Sequence, residues 1–584
     1  TISLENVARI KRQNEKTISV IIGNPPYNAK QENYNFQNAN RTYAEIDKRI
    51  KETYIKQGTA QNQIVVYDMY TRFLRWASDR VVTDGIICFI SNSSFIDARA
   101  FDGFRKSIQT EFDFAYIVDF GGDIRKLSGK DGIWMNEEHT IFGVAAAVGV
   151  SVMFLVKKGD KTKRDCRIQY IHPCDIRATR CEKFEWIHAL KDFADVNFEL
   201  INPDRKCNWI NQTDNDFDQL IPLIDKEVKA GKSQSAIFQL FSRGVATQRD
   251  EWVYDFSQEH LESKIQYFVD IYQKTVKNSA FEEKFKIKWD QDLERYKERK
   301  IEKYFDEQQI VKSLYRPFTK MWLYFDKHFN GRIYQWFNIY SLENQSIAIN
   351  ALGSSKVFHC LCSDHIIDLH FTGDSQCLPL YRYEDSQRIE NITDWALALF
   401  RENYADGIEK LDIFHYVYAV LHNPVYRQKY AQNLKRDFPR IPLYDDFWAW
   451  ANWGKQLMEL HLNYEHAARY KLTRIDRPLK NPAAKPKVKL KADKVAGKIE
   501  VDEITTLSDI PAQAWQYQLG NRSALEWILD QYKEKKIADP TIAEKFAHYR
   551  FADYKEQVID LLEKLCTVSV ATMAVVANMD KIAD

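Results

Sequence analysis

From Ile18 to about Lys158 the apolar positions follow two different periods. ISVIIG (Ile18 to Gly23), GIICFIS (Gly85 to Ser91), FAYIVDF (Phe114 to Phe120) and GVSVMFLV (Gly149 to Val156) are short, nearly continuous apolar runs rich in β-branched residues. Such runs predict strands buried on both faces. Between them, YDMYTRFLRWASDR sets Tyr67, Tyr70, Phe73, Leu74 and Ala77 at helical spacing, which predicts a helix with one core-facing stripe. Strands alternating with amphipathic helices predict an α/β region with a wound sheet. The longest apolar stretch, Ile141 to Val156, is shorter than the ~20 residues of a membrane-spanning helix and contains two glycines. It reads as a core strand and its approach.

Beyond this region the pattern changes. Residues 166–234 have mixed composition, with turn signals at HPCD and NPD, and read as a connector. Residues 235–470 are dense in Trp, Tyr, Phe and Arg, in clusters such as RGVATQRDEWVYDF and LYRPFTKMWLYFDKHFNGRIY, and form a second large domain. Residues 471–584 open with a lysine- and proline-rich segment, RIDRPLKNPAAKPKVKLKADKVAGK, and continue into amphipathic helices such as SALEWILDQYKEK. The basic segment reads either as a solvated linker or hairpin, or as a phosphate-contacting strip. No internal repeat is visible, which excludes a solenoid.

A chain of 584 residues and 68.8 kDa exceeds what one core supports. Its 45% hydrophobic and 28% charged residues place it among globular proteins rather than disordered or membrane chains. The net charge of +1 means that any nucleic-acid surface must be local. Nine scattered cysteines fit a reducing cytoplasm better than a disulfide framework, and the charged start TISLENVARIKRQNEK carries no secretory signal. Neither feature calls for a membrane partner.

Asn24-Pro25-Pro26-Tyr27 directly follows the first strand. These four residues combine a side-chain carbonyl, a backbone carbonyl stiffened by proline, and an aromatic face. That set suits a planar amino group. The exocyclic NH2 of a nucleobase is a poor nucleophile because its lone pair is conjugated into the ring. Two acceptors, the Asn24 side-chain oxygen and the Pro25 carbonyl, hold its two hydrogens and favour a more tetrahedral nitrogen. Tyr27 stacks on the ring, a contact worth ~1–3 kcal/mol per base. A base in a duplex must be flipped out to reach such a pocket.

The tetrapeptide resembles the catalytic motif of S-adenosylmethionine-dependent amino-methyltransferases. The segments that follow resemble, in order, the later motifs of N6-adenine DNA methyltransferases. RGVATQRDEWVYDF, LYRPFTKMWLYFD, LPLYRYED, FHYVYAVLHNPVYRQKY, FPRIPL, WQYQLGNRSALEWILDQY and HYRFADYKEQVIDLL resemble the methyltransferase and specificity regions of Type ISP restriction-modification enzymes. The resemblance implies a partial Rossmann-like methyltransferase sheet (residues 1–165), then a large α+β target-recognition domain and a helical C-terminal region. It also implies attack of adenine N6 on the methyl of S-adenosylmethionine, with Asn24, Pro25, Pro26 and Tyr27 catalytic, and double-stranded DNA as partner. Phe142 is the candidate to pack on the flipped base, with ordinary core packing as the competing reading.

One family feature is missing. The donor loop, F-x-G-x-G, lies upstream of the catalytic strand in this arrangement, yet only 23 residues precede Asn24 and no two glycines anywhere stand at i and i+2. Gly121-Gly122 is the nearest imitation. The expectation is that the first methyltransferase half, with the family's nuclease and translocase, lies on the parent polypeptide or a partner chain. Two other readings remain: a non-catalytic DNA-specificity module, and an amino-methyltransferase acting on RNA or protein.

For DNA reading, Arg243, Gln248, Arg249, Arg316, Lys320, Lys327, Asn330 and Arg332 lie in turn-bounded aromatic stretches, and Lys485, Lys487 and Lys489 lie in the basic segment. AGKSQS lacks the leading glycine of a phosphate loop, because Lys226 stands there. HCLCSDH (His359 to His365) matches no common zinc spacing, so no metal is expected.

Overall fold

The computed structural model describes residues 4–27, 42–60, 63–123, 137–143, 148–159, 165–175, 177–213, 215–278, 280–281, 283–340, 344–352, 354, 356–385, 387–478 and 486–579. Two compact units divide between residues 214 and 215.

The first unit is built on a six-stranded sheet of β1 (Ile18–Gly23), β2 (Val81–Asn92), β3 (Phe114–Asp119), β4 (Val150–Val156), β5 (Arg167–Ile171) and β6 (Glu199–Ile201), in the order β1-β2-β4-β3-β5-β6. β1 runs parallel to β2, and both β2 and β3 run antiparallel to β4. The C-terminal ends of β1, β2 and β3 therefore share one edge of the sheet, where open α/β sheets place their ligands. All four apolar runs form strands. Segment 166–201, read as connector from its composition, adds β5 and β6 to the same sheet.

Helix α1 (Met69–Arg80) forms where the spacing predicts it, but its buried face is rotated. Thr71, Arg75 and Ser78 are buried with Tyr70, Leu74 and Ala77, and Phe73 is left 42% exposed. The cause is an ion-pair network. Arg75 meets Glu111 at 2.7 Å, from α2 (Asp102–Glu111), and Asp79 at 2.7 Å, so an arginine occupies a core-facing position. β1 pairs on one side only among the described residues. Ile21 is buried, whereas Val20 is 55% and Ile22 77% exposed.

The second unit contains three four-stranded sheets. The first orders β13 (Ile366–Ile367), β9 (Ile310–Arg316), β10 (Thr319–Tyr324) and β8 (Tyr254–Asp255), and helix α3 (Gln258–Lys277) shares its core. The second orders β12 (Cys360–Ser363), β11 (Ser346–Asn350), β14 (Ser375–Pro379) and β7 (Ser242–Arg243). It shares a core with the helix pair α4 (Lys410–His422) and α5 (Phe447–Leu462). The third orders β15 (Thr473–Asp476), β18 (Thr505–Ser508), β17 (Lys498–Asp502) and β16 (Val488–Asp493). It is followed by α6 (Ala524–Gln531) and the long α7 (Phe551–Met579). This is the mixed α+β domain with a helical end that the sequence implies.

Candidate active site and nucleic-acid interface

β1 ends at Gly23, which pairs with Phe89 of β2. A Cβ on Gly23 would lie 3.1 Å from Phe89 Cε1, so the absent side chain lets that ring close over the strand end. The prolines that follow cannot donate to a ladder, and the chain leaves the sheet. Pro25 is buried, Asn24 and Pro26 are exposed, and Tyr27 is half-buried. The Tyr27 hydroxyl donates to Asn24 Oδ1 at 3.3 Å. Burial, reinforced by the Asp68 carboxylate, pushes the Tyr27 phenol up to about 12, which keeps it a neutral donor.

Helix α1 supplies the floor. Tyr70 meets the Tyr27 ring edge-on, with centroids 6.4 Å apart, and stacks on Phe101 at 6.0 Å. Its hydroxyl is buried with no hydrogen-bond partner among the described residues. Helical spacing assigns Tyr70 a core role only, and its contact with Tyr27 had no signal in the local pattern.

Along the same edge, Asp119 closes β3. Its carboxylate accepts from Gly121 N–H at 2.9 Å and from the Tyr170 hydroxyl at 3.1 Å. Burial nevertheless holds its pKa above the usual carboxylate range. The turn beyond it is left-handed at Gly121 (φ 58°) and Gly122 (φ 84°). A Cβ at Gly121 would lie 3.0 Å from His172 Nε2, and one at Gly122 would lie 2.8 Å from the His139 carbonyl. Protein atoms therefore fill the space beside this glycine pair. Phe142 sits in a turn and is 37% exposed, outside the core.

In the second unit the arginines and lysines separate into two groups. Arg249 is buried, paired with Asp290 and donating to the Phe329 carbonyl at 3.3 Å. Arg316 is tied to Asp368 at 2.7 Å and packs on the Tyr315 ring, 3.8 Å from its centroid. Asn330 is buried, its amide donating to the carbonyls of Tyr324 and Asp326 at 2.8 Å each. Lys320 is mostly covered and held by Glu465 at 2.7 Å. The packing of these four is structural, which corrects the expectation that the loops display them.

Gln248, Lys327 and Arg332 are exposed, and Arg243 is half-buried on β7. The Ala246 and Arg332 backbones pair in both directions at 2.8 and 2.9 Å, placing Gln248 and Arg332 on neighbouring loops. Gln248 adopts a left-handed φ of 62°, and its side chain lies over Gly331. Arg332 meets Asp292 at 2.9 Å and stays largely exposed. Lys487 and Lys489 are exposed beside and on β16, Lys489 opposite Glu500 at 3.1 Å. Lys485 lies outside the described residues. Among the described residues no group of three His, Cys, Asp or Glu side chains is placed to hold a metal. Cys360 and Cys362 of HCLCSDH are buried in β12 as free thiols. No helix among the described residues is long and apolar enough to cross a membrane.

The family model for the Type ISP C-terminal specificity domain matches residues 236–561, and that for the Eco57I restriction-modification methylase matches residues 3–125. No curated protein matches the chain. Among solved structures, the cryoEM DrdV–DNA complex is 44% identical, with a TM-score of 0.87 over 98% of this chain and 58% of that one. A nuclease-deletion mutant of the Type ISP restriction-modification enzyme LlaGI, in complex with a DNA substrate mimic, is 30% identical, with a TM-score of 0.82 over 99% of this chain and 54% of that one. The ATP-dependent Type ISP restriction-modification enzyme LlaBIII bound to DNA is 29% identical, with a TM-score of 0.85 over 100% of this chain and 38% of that one. The chain thus spans well under two thirds of each. With a specificity-domain match over more than half its length and a methylase match ahead of it, the chain belongs to the Type ISP restriction-modification family.

Proposed function

We propose that this chain is the target-amine half and the DNA-reading part of a site-specific adenine-N6 DNA methyltransferase within a Type ISP enzyme. The observation that carries the reading is Asn24-Pro25-Pro26-Tyr27 at the C-terminal end of a parallel strand, with the Asn24 side chain exposed and steered by the Tyr27 hydroxyl. Asn24 Oδ1 and the Pro25 carbonyl accept the two N6 hydrogens of a flipped adenine, and Tyr27 stacks on its ring. Tyr70 backs Tyr27 from below.

The methyl donor of this chemistry is S-adenosylmethionine, which supplies an electrophilic methyl. The residues described here do not form its cradle. No glycine pair at i and i+2 exists, and the Gly121-Gly122 turn is occupied by His172 and the His139 carbonyl. The exposed Val20 and Ile22 on β1 mark a sheet face that further protein covers. The donor site, the nuclease and the translocase therefore belong to other parts of the enzyme. Gln248, Arg332 and Lys327 would read or flank the site, while Lys487 and Lys489 would contact phosphates. Nine free thiols suit the reducing cytoplasm.

The test is Asn24→Ala in the complete enzyme. Methyl transfer to adenine should be abolished while sequence-specific DNA binding stays within about twofold. Undiminished transfer would refute the assignment. This chain alone should show no calorimetric binding of S-adenosylmethionine, and micromolar binding would place the donor site within it.

A further inference from the structure

The second unit contains a cavity of about 490 Å³ whose walls include none of the side chains assigned above. That volume is in the range of small-molecule sites. Tyr254, Phe256, Tyr315 and Tyr549 line it, with ring centroids 4.7 Å apart for Tyr254 and Tyr315 and 4.9 Å for Phe256 and Tyr549. The tyrosine hydroxyls are already engaged. Tyr315 donates to Asp250 at 2.9 Å, Tyr549 donates to the Tyr532 carbonyl at 2.9 Å, and Tyr254 bonds Ser313 at 3.1 Å. What they offer a ligand is their aromatic surface.

The acids of the lining are engaged as well. Asp255 holds the buried Lys264 at 2.8 Å, and Glu251 accepts the backbone N–H groups of Ala538 and Asp539 at 2.9 Å each. Glu534 accepts the Phe551 N–H at 2.9 Å. At the rim, Lys533, Lys535 and Lys536 have no acidic partner within ion-pair distance among the described residues. The nearby Asp530 is taken by Arg522 at 3.0 Å. Burial depresses the Lys535 pKa, with Asp530 opposing the shift and Arg316, Arg522 and Lys533 adding to it. One further wall group, His548 Nδ1, is buried with no hydrogen-bond partner among the described residues.

An aromatic slot beside three ammonium groups that stand outside any ion pair among the described residues matches a flat ring joined to several negative charges. We propose that this cavity binds a nucleoside phosphate, with the base against the aromatic walls and the phosphates on Lys533, Lys535 and Lys536.

Calorimetry on the full 584-residue chain tests this with adenosine, AMP, ADP, ATP and sodium triphosphate. Affinity should rise from AMP to ATP, and triphosphate alone should bind at least tenfold more weakly than ATP. The exposed triple variant Lys533→Gln/Lys535→Gln/Lys536→Gln should lose at least tenfold in ATP affinity. Ala547→Trp, at an exposed lining position, should fill the slot and abolish binding with the lysines intact. Absence of ATP binding, equal affinity for triphosphate and ATP, or unchanged ATP affinity in either variant would overturn the proposal. Competition then identifies the source of the ligand: displacement by a short single-stranded oligonucleotide as well as by ATP supports an extruded nucleotide, and displacement by ATP alone supports a free one.

Discussion

Acidification should destabilise the second unit through histidines buried in their neutral form. His461, on α5, is fully enclosed. Tyr418 Oη accepts the Cys362 N–H at 3.0 Å, and the His461 ring bonds the Tyr418 hydroxyl through Nδ1 at 2.6 Å and the Thr572 hydroxyl through Nε2 at 3.0 Å. Both partners of the ring are neutral hydroxyls, which offer no negative charge to offset an imidazolium. Burial pushes the His461 pKa down to about 3 and that of His359 to about 4, and His422 is also held well below its usual value. An unfolded histidine titrates near ~6.5. The unfolded chain therefore takes up protons first, and the stability present above that pH is lost as pH falls toward the folded values.

At pH 5 the loss is roughly 2 kcal/mol for each of His461 and His359, about 4 kcal/mol together. Asp368 works in the opposite direction. Burial raises its pKa to about 6, so its cost to stability shrinks as pH falls. It returns roughly 1 kcal/mol between pH 7 and 5. The net loss, about 3 kcal/mol before His422 is counted, is a large part of a typical domain stability of ~5–15 kcal/mol. Urea melts of the wild type and His461→Gln, followed by tryptophan fluorescence from pH 7.5 to 5, measure it. The variant should start less stable at neutral pH, and its stability should fall less steeply by about 1.4 kcal/mol per pH unit. Parallel slopes for the two proteins would refute the reasoning.

Other substitutions separate packing from recognition. Gly454→Ala would place a Cβ 1.8 Å from the His415 carbonyl oxygen where α5 crosses α4, and should cost about 3 kcal/mol or more in chemical denaturation. Arg249→Ala leaves Asp290 without its buried partner and should cost about 3–5 kcal/mol of stability. Gln248→Ala should leave the melting temperature unchanged and weaken binding to the cognate duplex by about 1–3 kcal/mol in a competition assay. Joint Lys487→Ala and Lys489→Ala replacement should weaken binding to all duplexes alike, and lower the slope of log affinity against log salt by about 2.

The parts of the fold legible in the sequence are those governed by local chemistry. ISVIIG followed by two prolines could form little other than a strand ending in an exit loop, and GVSVMFLV became the antiparallel strand between β2 and β3. The buried face of α1 was only half legible, because Arg75 owes its burial to Glu111, 36 residues away. The same limit governs the candidate recognition residues. Gln248 and Arg249 are adjacent in RGVATQRDEW and equally suited to reading a base, but Asp290 draws one inward and a left-handed turn pushes the other outward. Which side chain faces solvent was decided by a partner 41 residues downstream, and no local pattern records that.

Among the described residues β1 pairs on one side alone, and such an edge invites association between copies. An edge strand with an unpaired backbone ladder and two aliphatic side chains facing water is a template for pairing with another copy. While this edge stays open, light scattering should grow with protein concentration, and capping β1 or making Val20 and Ile22 polar should suppress it.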